Sequence, residues 1–212
     1  MTTAFAPNVF LALATNYVLG ANNTKLLAQV TLVDWRGQTG QKFFPWSVFS
    51  DRVSVLDVYV QPTSTIVDYR TSTHGLDARH LAPPEALPYS SVRVNVAEMI
   101  NNHVIVGHAL WSSLALLGLT HPAIHSRDVA TYTPFRRALG YPLDSCSSYP
   151  ALKDLVQVLM RRDMEPLFVN TTETARAAMD LFRSHRPAWE GVITSGGWPS
   201  VVLPAYWNIY FT

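Results

Sequence analysis

The chain has 212 residues, of which 48% are apolar, 11% aromatic and 15% charged, a balance that suits one globular domain with a full-sized core. Apolar content at this level excludes a disordered chain, and no uninterrupted stretch of roughly 18 apolar residues is present to span a bilayer. Sixteen Lys+Arg against fifteen Asp+Glu leave a net charge of +1, so any binding to nucleic acid or to an anionic membrane has to be local. The single cysteine, Cys146, excludes an intrachain disulfide framework and fits a reducing compartment.

After a tail at residues 1–8, three runs rich in β-branched and apolar residues read as strands: 9–18, 26–35 and 53–61. The first lacks the basic flank of a signal peptide and is interrupted by Thr15 and Asn16, so the sequons at Asn22 and Asn170 read as chance matches in an intracellular protein. Helical spacing begins at Val92, Val96, Met99 and Ile100, followed by a short buried strand at 104–106. A helix at 110–117, a strand at 125–131 and an amphipathic stripe of Leu152, Leu155, Val156 and Leu159 come next. The last helix starts at an Asn170 cap, with Glu173 as capping-box partner, and is expected to end near Arg186-Pro187. The order predicts an α/β fold: a mixed sheet that opens with a three-strand meander and carries helices on its faces.

Two segments depart from this plan. KFFPWSVF at 42–49, within an aromatic insertion spanning about 38–52, gathers Phe43, Phe44, Trp46 and Phe49 around a proline; residues 191–212 carry no charge but include Trp198, Tyr206 and Trp207. Each segment either covers a face of the sheet or offers a contact surface, since Trp, Tyr and Phe anchor interface cores. The main domain is then expected over 9–190, with 191–212 as an aromatic extension.

Five ordered stretches resemble the DEDDh 3′-to-5′ exonucleases of the ribonuclease-H-like superfamily, in the branch of RNA exonuclease 4 and the interferon-stimulated 20 kDa exonuclease. They are VFLALATNYV (9–18), VDYRTSTHGLDARHLA (67–82), IVGHALWSSLALLGLTHP (105–122), RDVATYTPFR (127–136) and ETARAAMDLFRSHR (173–186). The resemblance implies hydrolysis of single-stranded nucleic acid from its 3′ end by two divalent cations held on four carboxylates, with a histidine that activates water. Hard cations need anionic oxygens, and acids at i and i+2 of a strand share one face.

Carried onto this chain, the first-strand acids fall on Ala14 and Asn16, the acid of the helix after V-G-H-A-L on Ser113, the last-helix acid on Thr174, and the histidine on Val169. None is acidic or basic. Glu173 is one step from the last-helix position, but a single residue turns the side chain about 100° around the helix. Asp68 reads as a turn residue, Asp128 lies outside the metal set, and His74, His80, His108 and His121 lack metal-ligand spacing. Walker, dinucleotide-binding, zinc-protease and serine-elbow motifs are absent, and Cys146 has no evident base.

These replacements lead to three expectations. The first is a pseudoenzyme with no metal, no cofactor and no small-molecule substrate, acting as a protein-interaction or scaffold module, self-association included. The second is metal-independent binding of single-stranded RNA or DNA in the inherited groove through Arg136, Arg137, Arg161, Arg162 and Arg176. The third, residual exonuclease activity, ranks last. A nuclear or nucleolar location is what the resemblance implies.

Overall fold

The computed structural model describes residues 6–38, 56–164 and 169–212. Phe43, Phe44, Trp46 and Phe49 therefore lie outside the described residues. Seven strands among the described residues form one mixed sheet: β1 (Phe10–Gly20), β2 (Lys25–Val33), β3 (Leu56–Gln61), β4 (Ile66–Asp68), β5 (Ala86–Pro88), β6 (Val104–Gly107) and β7 (Ser126–Asp128). The spatial order is β5-β3-β2-β1-β6-β7, with β4 paired to the far end of β1. β1, β2 and β3 form the antiparallel meander, whereas β6 runs parallel to β1, and β7 parallel to β6. One irregularity matters for the site: Asn16 pairs with Gln29 but Tyr17 pairs with Leu27, so Ala28 is an extra residue on β2. Such a bulge re-aims side chains locally.

β1 is apolar on both of its faces because helices cover both. Leu11 and Leu13, with Leu32 and Ile105, pack against α2 (Tyr89–Ile100) and α3 (Leu110–Leu117). Phe10, Ala12 and Ala14 pack on the other side, against α4 (Thr133–Ala138), α5 (Leu152–Met160) and α6 (Thr171–Thr194). Leu11, Leu32, Ile105 and Leu110 are at most 1% exposed, and burial of each such side chain contributes about 1.5–3 kcal/mol. Two further helices are short: α1 (Thr71–His74) follows β4, and α7 (Ala205–Asn208) lies in the C-terminal segment.

α6 departs from the expectation that it stops near Pro187. It continues to Thr194 with the proline inside. A proline removes one rung of the helix and crowds the preceding turn, but tertiary contacts beyond it outweigh that cost. Trp189 is buried and stacks on Tyr132 with ring centroids 3.8 Å apart, and Glu190 forms a two-pronged ion pair with the buried Arg127, at 2.7 and 3.1 Å. At the other end Asn170 caps as predicted, its side chain accepting from Thr172 N and Glu173 N. The Glu173 carboxylate turns instead to the Arg162 guanidinium.

Candidate nucleic-acid interface

The positions matched to the family's acids lie on β1, on α3 against one face of β1 and in the first turn of α6 against the other, and each carries a neutral group. Ala14 is buried in the layer beneath α6. Asn16 is buried, and its side-chain amide donates to the Val169 carbonyl at 3.0 Å, while Val169 N donates to Thr73 O of α1 at 2.8 Å. Thr15 points to the opposite face of β1, where its hydroxyl shares a 3.0 Å hydrogen bond with Ser113 of α3. Thr174 sits half-buried in the first turn of α6.

A carboxylate that sequence reasoning missed lies beside this cluster. Thr31, the partner of Ala14 across the β1–β2 ladder, is itself paired with Asp57 on β3. Asp57 Oδ1 accepts from Gln29 Nε2 at 2.9 Å and from Thr31 Oγ1 at 3.0 Å; its Oδ2 accepts from Thr172 Oγ1 at 3.1 Å. Thr31 also shares a 2.7 Å hydrogen bond with Thr171. The carboxylate thus anchors the start of α6, where the positive end of the helix dipole favours it. The only signal in the sequence was an acid within an otherwise apolar strand.

The motif around α3 is held from β7. Gly107 ends β6 so close to its neighbours that an added Cβ would lie 2.5 Å from the Leu110 side chain and 2.9 Å from Leu13 O. After it, Ala109 adopts a left-handed conformation (φ 54°), and the buried Asp128 carboxylate accepts from Ala109 N, Leu110 N and Ala130 N at 2.7–3.0 Å. Burial pushes the Asp128 carboxyl up to about 7, against the pull of these three donors. His108 Nε2 donates to Pro150 O at 2.7 Å, and burial lowers its pKa. Asp68, read as a turn residue, accepts from Arg70 N at 2.7 Å.

The histidines are structural in their contacts. His121 Nε2 lies 3.1 Å from His103 O, and His80 Nδ1 meets Asp77. His74 Nε2 lies 3.0 Å from Tyr17 O, which assigns the proton to Nε2 and leaves the buried Nδ1 as a lone-pair nitrogen without a partner. Burial is the main cause that keeps its pKa low. Cys146 is buried, and burial raises its thiol pKa, as expected of an unreactive cysteine.

The predicted arginines do not form one surface. Arg136 is fully buried and donates to Pro142 O, Ser145 O and Ser148 O at 2.6–3.0 Å, so it organises the 140–148 loop and offers nothing to a phosphate. Arg162 pairs with Glu173, and Arg176 Nε donates to Gly37 O at 2.6 Å. Arg137 and Arg161 are exposed. Positive charge gathers elsewhere: Lys25 Nζ and Arg70 Cζ lie over the Tyr17 ring at 4.8 and 4.2 Å from its centroid, one residue along β1 from Asn16. Among the predicted interface aromatics, Trp198 and Tyr206 are 46% and 63% exposed, whereas Trp207 stacks on the buried Trp111 at 4.6 Å.

No group of three or more His, Cys, Asp or Glu among the described residues is placed to hold a metal ion. A methyl, an amide and two hydroxyls at the matched positions do not fit a pair of divalent cations, which take anionic oxygens. Asp51 and Glu165 lie outside the described residues.

No family model matches the chain. It is 30% identical over 186 residues to RNA exonuclease 4 of Debaryomyces hansenii, covering 87% of this chain and 60% of that protein. It is 32% identical over 172 residues to RNA exonuclease 4 of Mycosarcoma maydis, covering 80% of this chain and 40% of that one. The chain thus spans about half the length of the curated relatives it matches. Among solved structures it resembles the Saccharomyces cerevisiae apo Pan2 pseudoubiquitin hydrolase-RNA exonuclease module, with a TM-score of 0.65, 21% identity, and coverage of 91% of this chain and 31% of that one. The same module in complex with AAGGAA RNA aligns with a TM-score of 0.62 and 19% identity over 87% of this chain and 30% of that one. The fold is ribonuclease-H-like, as expected. The relatives overturn the expectation of a pseudoenzyme acting as an inactive scaffold: proteins similar over most of this chain are named as RNA exonucleases. Sequence relatives and fold together support the DEDDh exonuclease family.

Proposed function

We propose that the chain is an RNA exonuclease, holding single-stranded RNA beside the Asn16 end of β1 and shortening it from its 3′ end. The observation that carries this reading is the similarity to proteins named RNA exonuclease 4 over 80% and 87% of the chain. The RNA complex of a Pan2 module with the same fold supports single-stranded RNA as the ligand class. In this chain Lys25 and Arg70 supply positive charge beside β1, suited to backbone phosphates, at a position adjacent to the matched cluster. An intracellular, nuclear location goes with this reading. The described donor set does not fit a pair of divalent cations. Nothing in the comparisons supports a protein partner or an oligomer.

The test is degradation of 5′-labelled single-stranded RNA with free or blocked 3′ ends, in Mg²⁺, in Mn²⁺ and in chelator. Products shortened stepwise from free 3′ ends alone are expected, and an Arg70→Gln preparation run alongside should trim more slowly, which excludes a co-purifying nuclease. Full-length RNA under every condition overturns the proposal.

A further inference from the structure

We infer that the cavity roofed by the C-terminal segment is a nucleobase subsite for single-stranded RNA, an extension of the RNA-holding site proposed above and dependent on that reading. The segment folds back over α3: Val201 N donates to Thr131 O at 2.9 Å, and near the end His121 N donates to Tyr210 O at 2.9 Å. Between these attachments α7 sets Trp207 against Trp111, interplanar angle 16°, with Tyr149 edge-on to Trp111 at 5.2 Å. This leaves a cavity of about 660 Å³, within the range of small-ligand sites, lined by Lys25, Tyr89, Trp111, Ser112, Tyr149 and Tyr206 among others.

Three features select a base as the occupant. Among the described residues the walls are aromatic and aliphatic with one cation, Lys25, and no described Asp or Glu lines the cavity. That is the chemistry of single-strand binding, in which bases stack on aromatic rings and a nearby ammonium takes the phosphate. Tyr206 lines the cavity and is 63% exposed, so its ring is available for stacking, while Val201, Leu203 and Trp207 of the same segment pack on the body. The cavity also adjoins the matched cluster: Ser112 lines it, and the next residue, Ser113, bonds to Thr15 of β1. Lys25 belongs to both places, since it lines the cavity and lies over Tyr17. A strand whose phosphates follow Lys25 and Arg70 therefore delivers a base to the aromatic wall.

The experiment is a titration of labelled single-stranded RNA against the whole chain, followed by intrinsic tryptophan fluorescence and anisotropy, with an oligonucleotide of the same length bearing abasic sites as comparator. The unmodified RNA is expected to quench the Trp signal and to bind about fivefold or more tighter than the abasic strand. Tyr206→Ala, at an exposed position, should remove most of that difference, and Lys25→Gln should flatten the salt dependence by about one phosphate contact. Equal affinity of the parent and Tyr206→Ala for RNA, with trimming intact, overturns the subsite and leaves the proposed function standing. A parent chain that neither binds nor trims RNA removes the proposed function itself. If the parent ignores RNA but self-associates through Tyr206, the segment is a protein contact and the subsite is wrong.

Discussion

Two junctions of the same sheet solve their packing in opposite ways. At β6–α3–β7 the chain buries full charges and satisfies them one by one: Asp128 with three backbone N–H groups, Arg127 with Glu190, and Arg136 with a ring of carbonyls. At β1 and the start of α6 the contacts are mostly neutral, hydroxyl to hydroxyl and amide to carbonyl, with the Asp57 carboxylate among them. A buried charge that loses its partners is far more costly than a lost neutral hydrogen bond. The first junction should therefore tolerate no change, and the second should absorb several.

The largest expected effect is at Arg136. Replacing it with Met leaves the carbonyls of Pro142, Ser145 and Ser148 without donors in a closed loop, and unfolding in urea should show a loss of about 3–5 kcal/mol. A change below about 1 kcal/mol would erase the contrast between the junctions.

The Asp128 carboxyl gives the next effect, and its sign is specific. Its pKa is raised in the folded state, to about 7 from 3.8, so the folded chain holds this proton more tightly than the unfolded chain does. The stabilisation is complete below about pH 4 and is lost as pH rises through about 7, on the order of 4 kcal/mol across the window. Cys146 and Tyr149 nearby are both pushed up by burial and stay neutral through that window. Thermal melts should fall between about pH 4 and 7, the span between the unfolded and folded values, and Asp128→Asn should flatten the profile. An identical slope in the variant assigns the effect to other groups.

The smallest of these effects sharpens the other side. Thr31→Val keeps the shape but removes one donor to Asp57 and the partner of Thr171, and should cost only about 1 kcal/mol by chemical denaturation. A loss as large as that at Arg136 would show that the neutral junction is equally intolerant.

Much of the frame was legible because periodicity reports burial on a face. The meander, the helix at 110–117 and the Asn170 cap all stand where composition and spacing put them. β4, β5, α1 and α7 were not legible, since three or four residues carry too little pattern. α6 beyond Pro187 was hidden by a correct local rule that distant contacts at Trp189 and Glu190 override. Arg136 read as a surface cation because nothing local announces that the following loop will wrap it in carbonyls. The aromatic cavity depends on Trp111 meeting Trp207 from the far end of the chain, a pairing no window of sequence contains. Reading function from the matched positions went furthest astray: it took five replacements as loss of enzyme identity, whereas the relatives name an RNA exonuclease.

Pro187 has a kinetic corollary. The turn from 188 to 194 cannot inherit its register through an unbroken ladder from the cap at Asn170, because the proline supplies no N–H at that point. Its helical state rests on Trp189 and Glu190 gripping Tyr132 and Arg127, and those residues are in place only after β7 and α4 have docked. The turn is therefore expected to form late, which folding and unfolding rates of a Trp189→Phe variant would check. Mutations there should speed unfolding more than they slow folding.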